Sequence, residues 1–234
     1  ARLGLAVLLV YLVVGPARSL GTEARRTWLL VAVMHVVLAA DNAVVEGLRV
    51  VVADLPADAA LRGVSQRVYD VAYLVNAMMS AALPLALLAV LLRARALRYA
   101  LGGALVLTFG VAVAGVLAGA LESWARLLGY ARVLSMLAAS GYLTFWAFLL
   151  LGALPRVDAY LAGFLAVRTL FVLLLPVQEA FFQIVGRAGS AEMWELLQVL
   201  QLAMAVTQVV IVLALIHVLA RGRGVRSLGA PISI

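Results

Sequence analysis

The chain has 234 residues, 66% of them hydrophobic, with a mean hydropathy of +1.13 and a net charge of +7. A soluble globular chain is nearer half apolar, so the composition excludes an ordinary soluble domain and points to an all-α membrane protein. Cysteine is absent, which excludes disulfides, thiolate metal sites and redox dithiols. Lysine is absent too, which excludes a retinal-type Schiff base.

Hydropathy divides the chain into about seven transmembrane helices, near residues 1–17, 27–53, 68–93, 97–121, 130–154, 158–186 and 193–220. Short connections bearing arginine separate them, and no soluble domain interrupts the single integral membrane domain. Helices follow because backbone polar groups must be satisfied inside each span, and no span alternates like a barrel strand. The first apolar stretch reads as a span and not as a cleaved leader. Connections after the first, third, fifth and seventh spans hold the larger share of arginine, including Arg18, Arg25, Arg26, Arg93, Arg95 and Arg221. Positive charge is retained on the cytoplasmic side. The expected location is the cell membrane, multi-pass, with the C-terminus cytoplasmic and the N-terminus outside.

The second span carries the densest set of polar groups, in His35-Val36-Val37-Leu38-Ala39-Ala40-Asp41-Asn42-Ala43-Val44-Val45-Glu46. Each costs a few kcal/mol at bilayer depth unless it faces protein or water, so intramembrane ionisable residues are functional candidates. At ~100° per residue, His35, Asn42, Glu46 and Arg49 share one stripe, with Asp41 about a third of a turn away. A carboxylate, an amide oxygen and an imidazole in one zone suit a divalent cation such as Mn²⁺. The competing reading is interhelical hydrogen bonding with a Glu46–Arg49 pair. In the third span, Asn76 is deep enough to complete the polar centre, whereas Asp70 lies near the interface.

The sixth span places Arg168 near its middle, where it needs a carboxylate, carbonyls or water. Pro176 then frees a carbonyl one turn back, and Glu179 follows it. Arg168 and Glu179 share a face but stand ~16 Å apart along the axis. In the last span Gln198, Gln201 and Gln208 recur at near-helical spacing and read as interhelical glue. His35 and His217 are the only histidines, so a bis-histidine haem would have to use both. No haem or other cofactor is assigned, since no accompanying motif supports one.

Two pairs of short matches occur in the same order. Leu38-Ala39-Ala40-Asp41 corresponds to Leu137-Ala138-Ala139-Ser140, and Asp70-Val71-Ala72-Tyr73-Leu74 to Asp158-Ala159-Tyr160-Leu161. They suggest an inverted 3+3 repeat, with residues 27–121 and 130–220 as its halves and 1–20 as an extra N-terminal helix.

The run Val36 to Val45, centred on Asp41-Asn42, resembles the signature of the TerC family of integral membrane proteins, related to the LysE transporter superfamily. Leu55-Pro56 with Leu61-Arg62-Gly63-Val64, and Tyr99-Ala100-Leu101-Gly102-Gly103-Ala104-Leu105, are similar to later family segments. Leu161 to Arg168 is similar to a family helix with glycine and a buried arginine. The resemblance covers residues 30–110 and, more faintly, 130–185. It implies a manganese-like cation transporter with Asp41 and Asn42 as ion ligands. Two departures stand out: His35 replaces an expected acidic residue, and Ser140-Gly141 stands where a second acidic motif belongs.

The function expected is therefore transport of a divalent metal cation by alternating access, through Asp41 and Asn42 with Glu46, His35 and Asn76 around them. The alternative is a non-catalytic integral membrane subunit of a larger, respiratory-type complex, using Arg168 and Glu179 for contacts or a proton path. An enzyme is not expected, because no nucleophile–base pair is visible. The expected partners are the lipid bilayer, the metal ion, and further copies or membrane subunits. Nucleic acid is not among them, because no basic run with interleaved aromatics occurs.

Overall fold

A computed structural model describes residues 2–54, 60–92, 95–96, 99–104, 106–107, 110, 124–154, 157–185, 190–222 and 227–228. Nearly all are helical. The helices are α1 (Arg2–Val14), α2 (Thr22–Asp54), α3 (Ala60–Leu91), α4 (Trp124–Leu150), α5 (Ala159–Val185) and α6 (Ser190–Ala220), with a 3₁₀ turn at Pro16–Ser19. The chain is an all-α membrane protein. Four helices are long and apolar enough to cross a membrane, over Thr22–Leu48, Leu74–Leu91, Val133–Leu150 and Glu195–Ala220. Shorter apolar stretches occupy Leu3–Val14 and Ala159–Leu174.

Several helices outrun their apolar cores. α2 begins five residues before the hydrophobic run, through Thr22-Glu23-Ala24-Arg25-Arg26, and α3 begins at Ala60 instead of 68. Glutamate, alanine and arginine are good helix formers, so the helix continues where hydropathy stops. The predicted fourth span falls largely outside the described residues, although 99–104, 106–107 and 110 are helical. A comparison of the two proposed three-helix halves likewise lies outside them.

The described helices pack in chain order. α1 lies on α2, α2 on α3, α3 on α4, α4 on α5, α5 on α6, and α6 returns to α1. Side chains then meet across the ring. Phe164 of α5 makes edge-to-face contacts with Trp28, at 5.8 Å between ring centroids, and with His35, at 5.3 Å. Trp28, Tyr142, Phe145 and Phe164 are fully buried, together with Leu9 and Leu12 of α1.

One end of the ring is tied by a carboxylate. Asp158, just ahead of α5, accepts from the Leu161 backbone N–H at 2.7 Å and from the Trp28 indole N–H at 3.0 Å. The first bond caps α5; the second fixes the start of α2 to it across 130 residues of sequence. Asp158 also pairs with Ser227, and Val157 with Leu228, in a two-residue antiparallel bridge. The chain reaches this bridge through a helix ending at α4: Gly152 takes φ +69°, Ala153 N–H donates to Phe148 O at 2.9 Å, and Gly152 N–H to Leu149 O at 3.1 Å. That double closure needs a left-handed residue, which glycine supplies without strain.

Ser140-Gly141 has a packing explanation. A Cβ on Gly141 would meet the Pro84 ring of α3 at 2.9 Å. The position where a second acidic motif would stand is thus a close approach of α3 and α4, and it has no room for an amide. Ser140 is exposed and donates to Leu137 O of its own helix at 2.9 Å.

Gly141→Ala should lower the thermal stability of the purified protein by about 1–3 kcal/mol through overpacking, and Pro84→Ala should restore part of it; a neutral Gly141→Ala would contradict the contact. Burial pushes the Asp158 carboxyl up from its ordinary value of 3.8, against the donors from Leu161, Trp28 and Tyr160. Because the folded state then holds its proton longer than the unfolded chain, stability is full below 3.8 and is lost as pH rises through the raised value. Asp158→Asn should flatten that slope in thermal melts taken across pH 3–7, whereas Asp158→Ala, which loses the cap as well, should cost about 1 kcal/mol at every pH.

Candidate functional site

A cavity of about 270 Å³ lies among α1, α2, α3, α5 and α6. Its polar lining is His35 from α2, Asn76 from α3, Arg168 from α5, and Gln198, Gln201 and Gln208 from α6. The glutamines recur at intervals of three and seven residues, which places them on one face of α6. Their burial deepens along that face: Gln198 is exposed, Gln201 is half-buried and Gln208 is 6% exposed. Ten residues of helix rise ~15 Å, so the stripe runs from the rim of the cavity to its floor.

Among the described residues Arg168 is the one charged residue in that lining. Its Nη2 donates to the Ser80 hydroxyl of α3 at 3.2 Å, and its guanidinium carbon stands 5.0 Å from the centroid of the Phe171 ring. The Tyr142 hydroxyl of α4 lies within electrostatic reach of the same guanidinium, outside hydrogen-bonding geometry. Among the described residues no carboxylate stands within ion-pair distance of it. The Arg168 Nε and the Gln208 amide nitrogen are both buried and bonded to nothing among the described residues.

The residues expected to hold a metal separate into different environments. The Asn76 amide donates to Asp41 Oδ2 at 3.3 Å, joining α3 to α2. Asn42 turns its amide nitrogen back onto Leu38 O of its own helix, while its oxygen is the atom a cation would take. Glu46 is exposed, although it shares the stripe with His35, which is buried. The His35 Nδ1 stands 2.8 Å from Val31 O, one turn back, and its ring packs on Phe164. Among the described residues no three His, Asp or Glu side chains gather closely enough to hold a metal ion. The side chains of Arg49, Asp70 and Glu179 lie outside the described residues. His217 is exposed in the last turn of α6, away from the cavity lining.

Sequence reasoning put His35 and Asn76 in one candidate metal site with Asp41 and Asn42, and left Arg168 outside it. It missed Ser80 and Phe171, whose types carry no signal alone. Phe171 stands three residues after Arg168, the helical spacing that permits ring and guanidinium to meet, and that spacing was available to find. Gln208 was read as glue, yet its unbonded amide nitrogen is not what glue requires.

The Asp41–Asn76 contact has a measurable strength. A double-mutant cycle with Asp41→Ala and Asn76→Ala should give a coupling near 0.6 kcal/mol and below about 1.7, the range of hydrogen bonds between membrane helices; zero coupling would show that the pair does not form.

Comparison with protein-family models, with curated proteins and with solved structures finds no match for this chain. None of the three identifies the TerC family.

Proposed function

We propose that the chain is a multi-pass transporter of the cell membrane that moves a small ionic solute by alternating access, with its C-terminus cytoplasmic and its N-terminus outside. The observation that carries this reading is the cavity itself, set at mid-helix positions of α2, α3, α5 and α6 and lined by Arg168, Asn76 and Gln208. A guanidinium at that depth costs several kcal/mol unless it faces protein or water. Retaining it beside an open cavity is what a solute site requires. At about 270 Å³ the cavity is near the lower end of ligand pockets, which suits a small solute. The contacts among the turn Pro16–Ser19, the start of α2, Asp158 and Ser227 bring Arg18 and the Arg25-Arg26 helix start to one end of the bundle, which supports the orientation.

A second reading, transport of a manganese-like divalent cation, is favoured by the Asp41–Asn76 contact, which brings a carboxylate and an amide from two helices together. Asn42, Glu46 and His35 would have to turn toward it.

Proteoliposome flux separates the readings. Reconstituted protein should pass at least one of Mn²⁺, inorganic phosphate and succinate faster than empty liposomes. If the cation reading holds, Asp41→Ala should cut Mn²⁺ entry by at least about tenfold, the usual penalty for disturbing a metal site; equal entry at equal reconstitution sinks it. No flux of any of the three overturns transport. A reproducible set of co-purifying partners would then mark the membrane-subunit reading.

A further inference from the structure

Two of the buried atoms in the residues that line the cavity are N–H donors, and the same lining holds the His35 imidazole, whose Nδ1 faces Val31 O. The Arg168 Nε and the Gln208 amide nitrogen are both N–H donors, buried and without an acceptor among the described residues. A cation takes oxygen or imidazole ligands, and N–H donors cannot supply them. A small anion with several acceptor oxygens is the chemical complement of a guanidinium and an amide N–H. Arg168 brings the charge, and its planar fork matches a carboxylate or phosphate group. Ser80 and Phe171 hold that fork in place, at 3.2 Å and 5.0 Å, while leaving Nε unspent. Gln198 and Gln201 extend the amide lining toward the rim. Asp41 of α2 is not among the described lining residues; Asn76, which is, turns its amide to Asp41.

We propose that the cavity between α2, α3, α5 and α6 is an oxyanion site, in which the Arg168 guanidinium and the Gln208 amide bind a carboxylate or phosphate group. The inference deepens the transport reading by naming its substrate class. The same chemistry is carried by a free anion and by the headgroup of an anionic lipid.

The test is equilibrium binding of succinate and of inorganic phosphate to the full chain in nanodiscs, first of zwitterionic lipid alone and then with phosphatidylglycerol. Saturable binding of either probe is expected in the zwitterionic disc. Arg168→Gln should weaken it at least about tenfold, as loss of a charge-assisted hydrogen bond does. Gln208→Glu guards against simple misfolding. It puts a carboxylate into the space the anion would take, so binding should vanish while the melting temperature does not fall. Undiminished binding in the phosphatidylglycerol disc assigns a soluble anion; competitive loss there assigns a lipid headgroup, and both support the site. The site is overturned if neither probe saturates in either disc, if both variants bind like the wild type, or if Mn²⁺ binds in the cavity and is lost with Arg168→Gln. Saturable binding without flux in proteoliposomes leaves the site standing and removes transport. Flux indifferent to Arg168→Gln and Gln208→Glu leaves transport standing and removes the site.

Discussion

A guanidinium held among apolar helices imposes more on this structure than any other group. Arg168 is always charged, and its interior position demands compensation from whatever surrounds it. α3 supplies the Ser80 hydroxyl, α5 supplies its own Phe171 ring, and α4 brings the Tyr142 hydroxyl near. These are neutral groups. A hydroxyl and a ring face orient the guanidinium and offset part of its desolvation, but they do not cancel its charge. Among the described residues the groups around it orient the charge without neutralising it.

The ring of helices serves that residue from a distance. At the end where α2 and α5 begin, the Asp158 carboxylate joins the two helices through Trp28 and caps α5. Ten residues further along α5 stands Arg168, and seven residues along α2 from Trp28 stands His35. Both line the same cavity. Between them Phe164 contacts Trp28 and His35, so one ring couples the capped junction to the cavity wall. On the far side Trp146 donates to the Thr169 hydroxyl at 2.9 Å, which fixes α4 against α5 beside Arg168. The rotational setting of α5 is therefore determined from both flanks.

The sequence made the membrane class legible because a hydrophobic run is a local property. It also located the costly groups, since a polar residue inside such a run is conspicuous without any neighbour. Arg168 was expected to need a carboxylate, carbonyls or water, and among the described residues it meets the Ser80 hydroxyl and the Phe171 ring instead. What the sequence did not display is pairing at long range. Trp28 and Asp158 are far apart in the chain, and the only local hint is an aspartate immediately before an apolar run, the signature of a cap. Gly141 against Pro84 is legible only afterwards, because a glycine in a membrane helix signals close packing without naming the partner. The polar stripe of α2 spans two environments for a related reason. Periodicity places His35 and Glu46 on one face, but that face passes from the packed interior at His35 to an exposed surface at Glu46.

The glutamines of α6 decide how the cavity should be understood. Amides between membrane helices hold bundles together when both of their ends are bonded, and the gain is then about a kcal/mol. Gln208 is among the most buried polar residues described, yet its amide nitrogen is bonded to nothing there. Leaving a buried donor unmade costs roughly 1–3 kcal/mol, more than the glue would return. Arg168 Nε carries the same deficit in the same cavity. Two unmade donors in residues of one cavity lining make a poor adhesive. Among the described residues these two donors find no acceptor, which is the observation on which the proposed anion site rests.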